Sequence, residues 1–180
     1  VLLAGMLVAT VTIARTKAAQ GQVSAAISSL AAGLDSYHGD HEIFPGFKEP
    51  WDGEDSSHNS FPKIFPALVT AKNPLWDPKV EEIGTQDAEQ EENEETGDMF
   101  YTYERLTSQD QKYDDELEKF YLDPWSNALV YRVNSSIKRK SWMHSPNKYD
   151  IWSYGPDGVD SSRYADEEVE GVKDDDIKSW

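Results

Sequence analysis

The first fourteen residues, Val1 to Ala14 (VLLAGMLVATVTIA), carry no charge, and no proline separates them from the helix-compatible stretch that follows. A bilayer span needs about twenty consecutive apolar residues, so this segment alone is too short for one. From Gln20 to His38 the pattern changes. Val23, Ile27, Leu30, Leu34 and Tyr37 recur at alternating steps of four and three, which marks a helix with one apolar face. Together the two stretches predict a single helix over residues 1–38, apolar all round in its first half, one-sided in its second and stopped at Gly39. At the standard helical rise such a rod is on the order of 55 Å long. The one-sided half can pack on a body made by the same chain. The apolar half needs lipid or sister subunits as its cover, and Leu2, Leu3, Leu7, Val11 and Ile13 are the side chains expected to seek it.

Three readings of the apolar run compete: a core helix, a secretory apolar region, and the C-terminal part of a membrane helix that begins upstream. A start at Val rather than Met fits a processed or trimmed beginning. A secretory signal places basic residues before its apolar run and a small-residue cleavage site after it, whereas Arg15 and Lys17 come after this one and no such site follows. A core helix of this length asks for more enclosing body than a chain of 180 residues offers.

The net charge is −17, from 34 acidic and 17 basic residues, so most of the surface repels a polyanion and nucleic acid is not an expected partner. Such a field favours divalent cations and basic protein surfaces. The absence of cysteine excludes disulfides, thiol catalysis and zinc sites of the cysteine type. The four histidines, His38, His41, His58 and His144, form no HExxH pattern. No nucleophile elbow, P-loop or dinucleotide fingerprint occurs, and the chain is not expected to be an enzyme.

After Gly39 the Pro- and aromatic-rich text HEIFPGFKEPWDG predicts an irregular connection, and Phe61 to Thr70 a short helical turn limited by two prolines. Glu81 to Asp98, with EQEENEETGD, has no apolar periodicity and reads as a solvated acidic insertion. Asp114 to Lys119 has the composition of one or two helical turns. Ala128 to Val133 and Tyr149 to Tyr154 read as strands joined by a long polar connection. Trp125, Tyr131, Trp152 and Trp180 are expected to pack between sheet and helix.

Three stretches in order carry a resemblance. The helix end and its exit hold Leu34, Tyr37, Phe44 and Pro45; then come Asp123, Pro124, Trp125 and Asn127, with Ser126 where the pattern has glycine; last are YDIWSYGPDG from Tyr149 to Gly158 and the terminal DDDIKSW. The chain thereby resembles the major pseudopilins of type II secretion systems, within the type IV pilin-like superfamily. The likeness covers the helix and the last third of the chain. The stretch 77–120 is longer and more acidic than the family pattern, and the family's cleavage motif, Phe and helix Glu are expected upstream of Val1.

The resemblance implies an α+β pilin fold: a long N-terminal helix (1–38) packed on a small antiparallel sheet, with a globular head (39–180) ending in a long C-terminal loop. It implies a structural subunit that polymerises through its helix into a pseudopilus driving protein export. The subunit would sit in the inner membrane before assembly and in a periplasmic filament after it. Its partners would be further copies of itself, other pseudopilins and inner-membrane secretion components. It also implies a calcium ion in the last loop, with Asp157, Asp175 and Asp176 as first side-chain ligands, Asp174 as a further carboxylate, and the backbone oxygens of Tyr154 and Val159. The inserted SSRYADEEVEGVK makes this loop longer than the family's. Two other readings stand beside it: a calcium-dependent secreted or surface module that binds carbohydrate or protein through its aromatic residues, and another type IV pilin-like filament subunit.

Overall fold

The apolar stripe of the N-terminal segment is the buried face of a helix. In the computed structural model the described residues are 2–46, 61–69, 74–92, 99–133, 144–145, 148–159 and 176–179, without the side chains of 2–9, 63, 88–92 and 99–100. Helix α1 (Leu2–His41) has 40 residues and is about 60 Å long. Val23, Ile27, Leu30 and Leu34 are buried along its second half and Tyr37 packs against the same core. Its first half differs: Val11 is 43% and Ile13 58% exposed.

The helix passes through Gly39 rather than stopping there. Ring contacts hold the extra turn, with His41 on Tyr37 at 4.1 Å and His38 stacked on Phe44 at 4.3 Å. The end comes at Glu42, whose φ of 61° is left-handed and whose N–H donates to the His38 carbonyl at 2.8 Å. Glycine usually takes that position, so the contacts of Phe44 offset a cost of about 1–2 kcal/mol at Glu42.

Helix α2 (Phe61–Leu68) buries Phe61, Ile64, Phe65 and Leu68. Strand β1 (Ile83–Glu92) pairs antiparallel with β2 (Met99–Arg105) on one side and with β3 (Lys119–Tyr121) on the other. The short helix α3 (Gln109–Lys112) lies between β2 and β3. Strands β4 (Val130–Val133), β5 (Tyr149–Ser153) and β6 (Ile177–Lys178) make a second antiparallel sheet in that order. The chain is thus α+β, with two three-stranded antiparallel sheets among the described residues.

Two expectations are corrected here, and a third gains structure. Most of the acidic stretch from Glu81, read as a solvated insertion, forms β1, because the ladder satisfies backbone groups whatever side chains the strand carries. Gly84 fits this strand for a steric reason, since a Cβ there would stand 2.4 Å from Leu122 Cδ1 and 2.7 Å from the Glu104 carbonyl. Asp114 to Glu118 form turns, not a helix. The helix begins earlier, where Ser108 and Gln111 cap each other's backbone N–H groups. Finally, the terminal DDDIKSW contributes a strand, β6, rather than loop alone.

Leu122, Leu129, Tyr131 and Ile151 join the α1 and α2 side chains in one core. Two tyrosines stitch the second sheet to the helix. Tyr149 donates its hydroxyl to the Ala31 carbonyl at 3.1 Å and Asp35 Oδ1 at 3.2 Å, and Tyr131 donates to the Pro45 carbonyl at 2.9 Å. Burial pushes the Tyr149 phenol's pKa up, and the Asp35 carboxylate adds to the effect. Tyr131 is in the core and Trp125 packs at its edge; Trp152 is buried outside that core, against Arg132 and Tyr154, which corrects the expectation that it packs between sheet and helix, and Trp180 falls outside the described residues.

Leu30→Ala is expected to cost about 2–5 kcal/mol in denaturant unfolding, whereas Val11→Ala should stay within about 0.5 kcal/mol of the parent because its side chain has no core to leave. Equal losses at the two positions would contradict a half-covered helix.

Candidate functional site

The tight turn after β3 is organised by one carboxylate. Asp123 is fully buried. Its Oδ1 accepts the N–H groups of Trp125 and Asn127, each at 2.9 Å, and its backbone N–H donates to the Asn127 carbonyl at 2.9 Å. Pro124 supplies a fixed φ inside the turn. Ser126 takes a φ of 73°, the left-handed conformation that glycine adopts without strain. Arg105 closes the outside, donating to the Asp123 carbonyl at 2.6 Å and the Glu81 carbonyl at 2.5 Å.

The same carboxylate reaches the end of β5. Ser153 donates its hydroxyl to Asp123 Oδ2 at 2.7 Å and accepts the Gly155 N–H at 3.1 Å. Desolvation raises the Asp123 pKa above its ordinary 3.8, and the hydrogen bonds from Ser153, Asn127 and Trp125 oppose that rise. Beyond Ser153 the chain makes the 3-10 turn Gly155–Asp157, closed by Gly158 at φ 74°. Asp157 Oδ1 accepts the Val159 N–H at 3.0 Å, and Tyr154, Asp157 and Val159 are all half-buried.

Strand β6 brings the C-terminus alongside. Trp152 faces Lys178 and Ser153 faces Ile177, so the same register carried one step further sets Asp176 across from Tyr154. The Ser179 N–H donates to the Ile151 carbonyl at 2.9 Å, and the Ile151 N–H donates to Ser179 Oγ at 3.0 Å. The Asp176 side chain is fully buried, with Lys178 Nζ 3.5 Å from its Oδ2.

Four of the six sequence-predicted ligands, Tyr154, Asp157, Val159 and Asp176, therefore belong to one end of the β5–β6 pair. Asp174 and Asp175 lie outside the described residues, among which no three carboxylate or imidazole side chains gather as a metal cluster. The carboxylates and carbonyls named are oxygen donors, the ligand type that a hard cation such as calcium takes.

On the helix, Val11 and Ile13 are exposed; Leu2, Leu3 and Leu7 share α1, and their side chains are outside the described ones. Among the described residues no helix is long and apolar enough to cross a membrane. His38 and His41 serve the helix end through their ring contacts, His144 is exposed, and His58 is outside the described residues. Sequence reasoning picked out Asp123 and Asn127 as a motif but assigned them no role, and it missed Ser153. The signal is an Asp with an Asn four residues on, flanking Pro-Trp-Ser, and its partner lies 30 residues away.

These features define an α+β protein whose long N-terminal helix is half covered and whose C-terminal strand closes beside an acidic turn. Comparison with models of known families, with curated proteins and with solved structures finds no match to the chain.

The raised Asp123 pKa has a definite sign. The folded state binds this proton more tightly than the unfolded state, so the Asp123 contribution is fully present below pH 3.8 and is lost as pH rises through the folded pKa. Asp123→Asn, which cannot ionise, should gain on the parent as pH rises across that window, read as the difference of their denaturant midpoints in acid and at neutrality. A difference that does not change with pH would contradict the assignment.

Proposed function

We propose that the chain is a structural subunit of a filament with a pilin fold, of the kind formed by type II secretion pseudopilins, and that it polymerises through α1. The single observation that supports this most is the contrast along one continuous helix: Val23, Ile27, Leu30 and Leu34 buried, Val11 and Ile13 exposed. An apolar helical face left in water favours association with apolar surface on other molecules. In the filament the first half of α1 packs against the same segment of sister copies, while the second half stays on its own head. Before assembly the apolar half rests in the inner membrane. Addition of subunits at the base then pushes folded cargo outward, and other pseudopilins and inner-membrane secretion components act on the same helix.

Calcium completes the head in this reading. Asp157, Asp176, Asp175 and Asp174, with the carbonyls of Tyr154 and Val159, hold it. The ion supplies positive charge that carboxylates brought close together need, and it ties the C-terminal strand to the sheet without a disulfide. Lys178, beside Asp176, supplies part of that charge from within the chain.

Two measurements test the proposal. Val11→Asp with Ile13→Asp should abolish polymers of the full chain, seen by sedimentation and negative-stain electron microscopy, because a charge at a desolvated helix contact costs several kcal/mol. A parent protein that remains a lone particle at high concentration in detergent-free buffer would sink the filament reading. Chelation should lower the melting temperature by about 5–10 °C from its value at free calcium near 100 times the dissociation constant. An unchanged melting temperature would remove calcium from the reading and leave assembly standing.

A further inference from the structure

We infer that Asn127 is a positioning residue for the calcium site, holding the turn that carries Asp157 in its binding shape before the ion arrives. The inference rests on the calcium reading of that turn. Asn127 Nδ2 donates to the Gly155 carbonyl at 2.7 Å. At the other end of the turn, a Cβ on Gly158 would stand 3.2 Å from Asn127 Oδ1 and 3.5 Å from its Nδ2. One amide thus meets both glycines that bracket Pro156 and Asp157.

The turn needs an outside hold. Gly155 and Gly158 have φ values of 72° and 74°, and a glycine is free to leave such a conformation for many others. Inside the turn, the described side-chain bond is the one from the Val159 N–H to Asp157 Oδ1. From outside the turn, Asn127 donates to the Gly155 carbonyl and Ser153 Oγ accepts the Gly155 N–H.

Asn127 is itself fixed. Its N–H donates to Asp123 Oδ1 at 2.9 Å and its carbonyl accepts the Asp123 N–H at 2.9 Å. A chain of hydrogen bonds therefore runs from a fully buried carboxylate through Asn127 to the turn of Asp157. A ligand held in place before binding loses little conformational freedom when the ion arrives, and that difference appears as affinity. Asp157 is the preformed half of the site.

The test uses the full chain stripped of metal and titrated with calcium by calorimetry, with melting temperatures recorded in chelator. Asn127→Ala should raise the calcium dissociation constant on the order of tenfold, with its metal-free melting temperature lowered by only a few degrees for the lost hydrogen bond; Asp157→Ala should abolish the binding heat. An Asn127→Ala protein that binds calcium as tightly as the parent overturns the inference and leaves the calcium reading intact. A parent that gives no binding heat overturns both. Should Asn127→Ala fail to fold, Gly158→Ala carries the same test. Its Cβ both strains the left-handed φ and crowds the Asn127 amide, and undiminished affinity there would overturn the inference.

Discussion

Everything in this fold is arranged around one helix that is only half covered. The stripe Val23, Ile27, Leu30 and Leu34 lies against α2 and the second sheet, where the core cluster is continuous from α1 to Ile151. Leucine-rich stripes slide along one another at little cost, so a stripe alone would leave the helix free to shift along its axis. The tyrosine contacts remove that freedom. Tyr149 reaches the Ala31 carbonyl and Asp35, and Tyr131 reaches the Pro45 carbonyl beyond the helix end. These bonds set the height of α1 relative to the sheet, and so they also set how much of its N-terminal half extends past the head. For a subunit that assembles by that half, the fixed height would define the spacing of neighbours.

A second constraint, Asp123, determines how the two ends of the head meet. Burying a carboxylate is costly unless its oxygens are satisfied, and here two backbone N–H groups and the Ser153 hydroxyl satisfy them. Two of these donors belong to the turn of Asp123 itself, and the third, Ser153, lies 30 residues further on. Losing the carboxylate would therefore loosen both the turn before β4 and the turn after β5. Arg105 extends the same network to the first sheet through the carbonyls of Glu81 and Asp123, so the acidic hairpin is anchored at its base.

Much of this was legible in the sequence, and the parts that were not share a cause. The helix and its buried face follow from side-chain periodicity, and β4 and β5 from their β-branched and aromatic residues. Strand β1 escaped because its reason for being a strand lies in its neighbours, β2 and β3, and not in its own acidic side chains. The helix end was misplaced at Gly39 because the rings of Tyr37, His38, His41 and Phe44 reward three more helical residues, and ring stacking has no one-dimensional signature. Two-residue β6 carries too little pattern to be seen at all. For the site, Asp157 and Asp176 were chosen by residue type and resemblance. The role of Asn127 became visible only through its contact with Gly155, 28 residues on.

The C-terminal strand is where the proposed cation would act. Strand β6 contributes two residues to the ladder, with Ser179 adding one bond through its backbone N–H and one through its hydroxyl oxygen. A pairing that short is marginal by itself. Closing it also buries the Asp176 side chain, across from Tyr154 in the register, in a chain with a net charge of −17. Each step that docks the strand thus concentrates negative charge, and one ammonium, Lys178, is the described counter-charge beside Asp176. Hydrogen bonding and charge therefore pull in opposite directions at the same few residues. On the calcium reading proposed above, a divalent ion would reverse the sign of the second term without changing the first, and so would turn a weakly held strand into a closed edge.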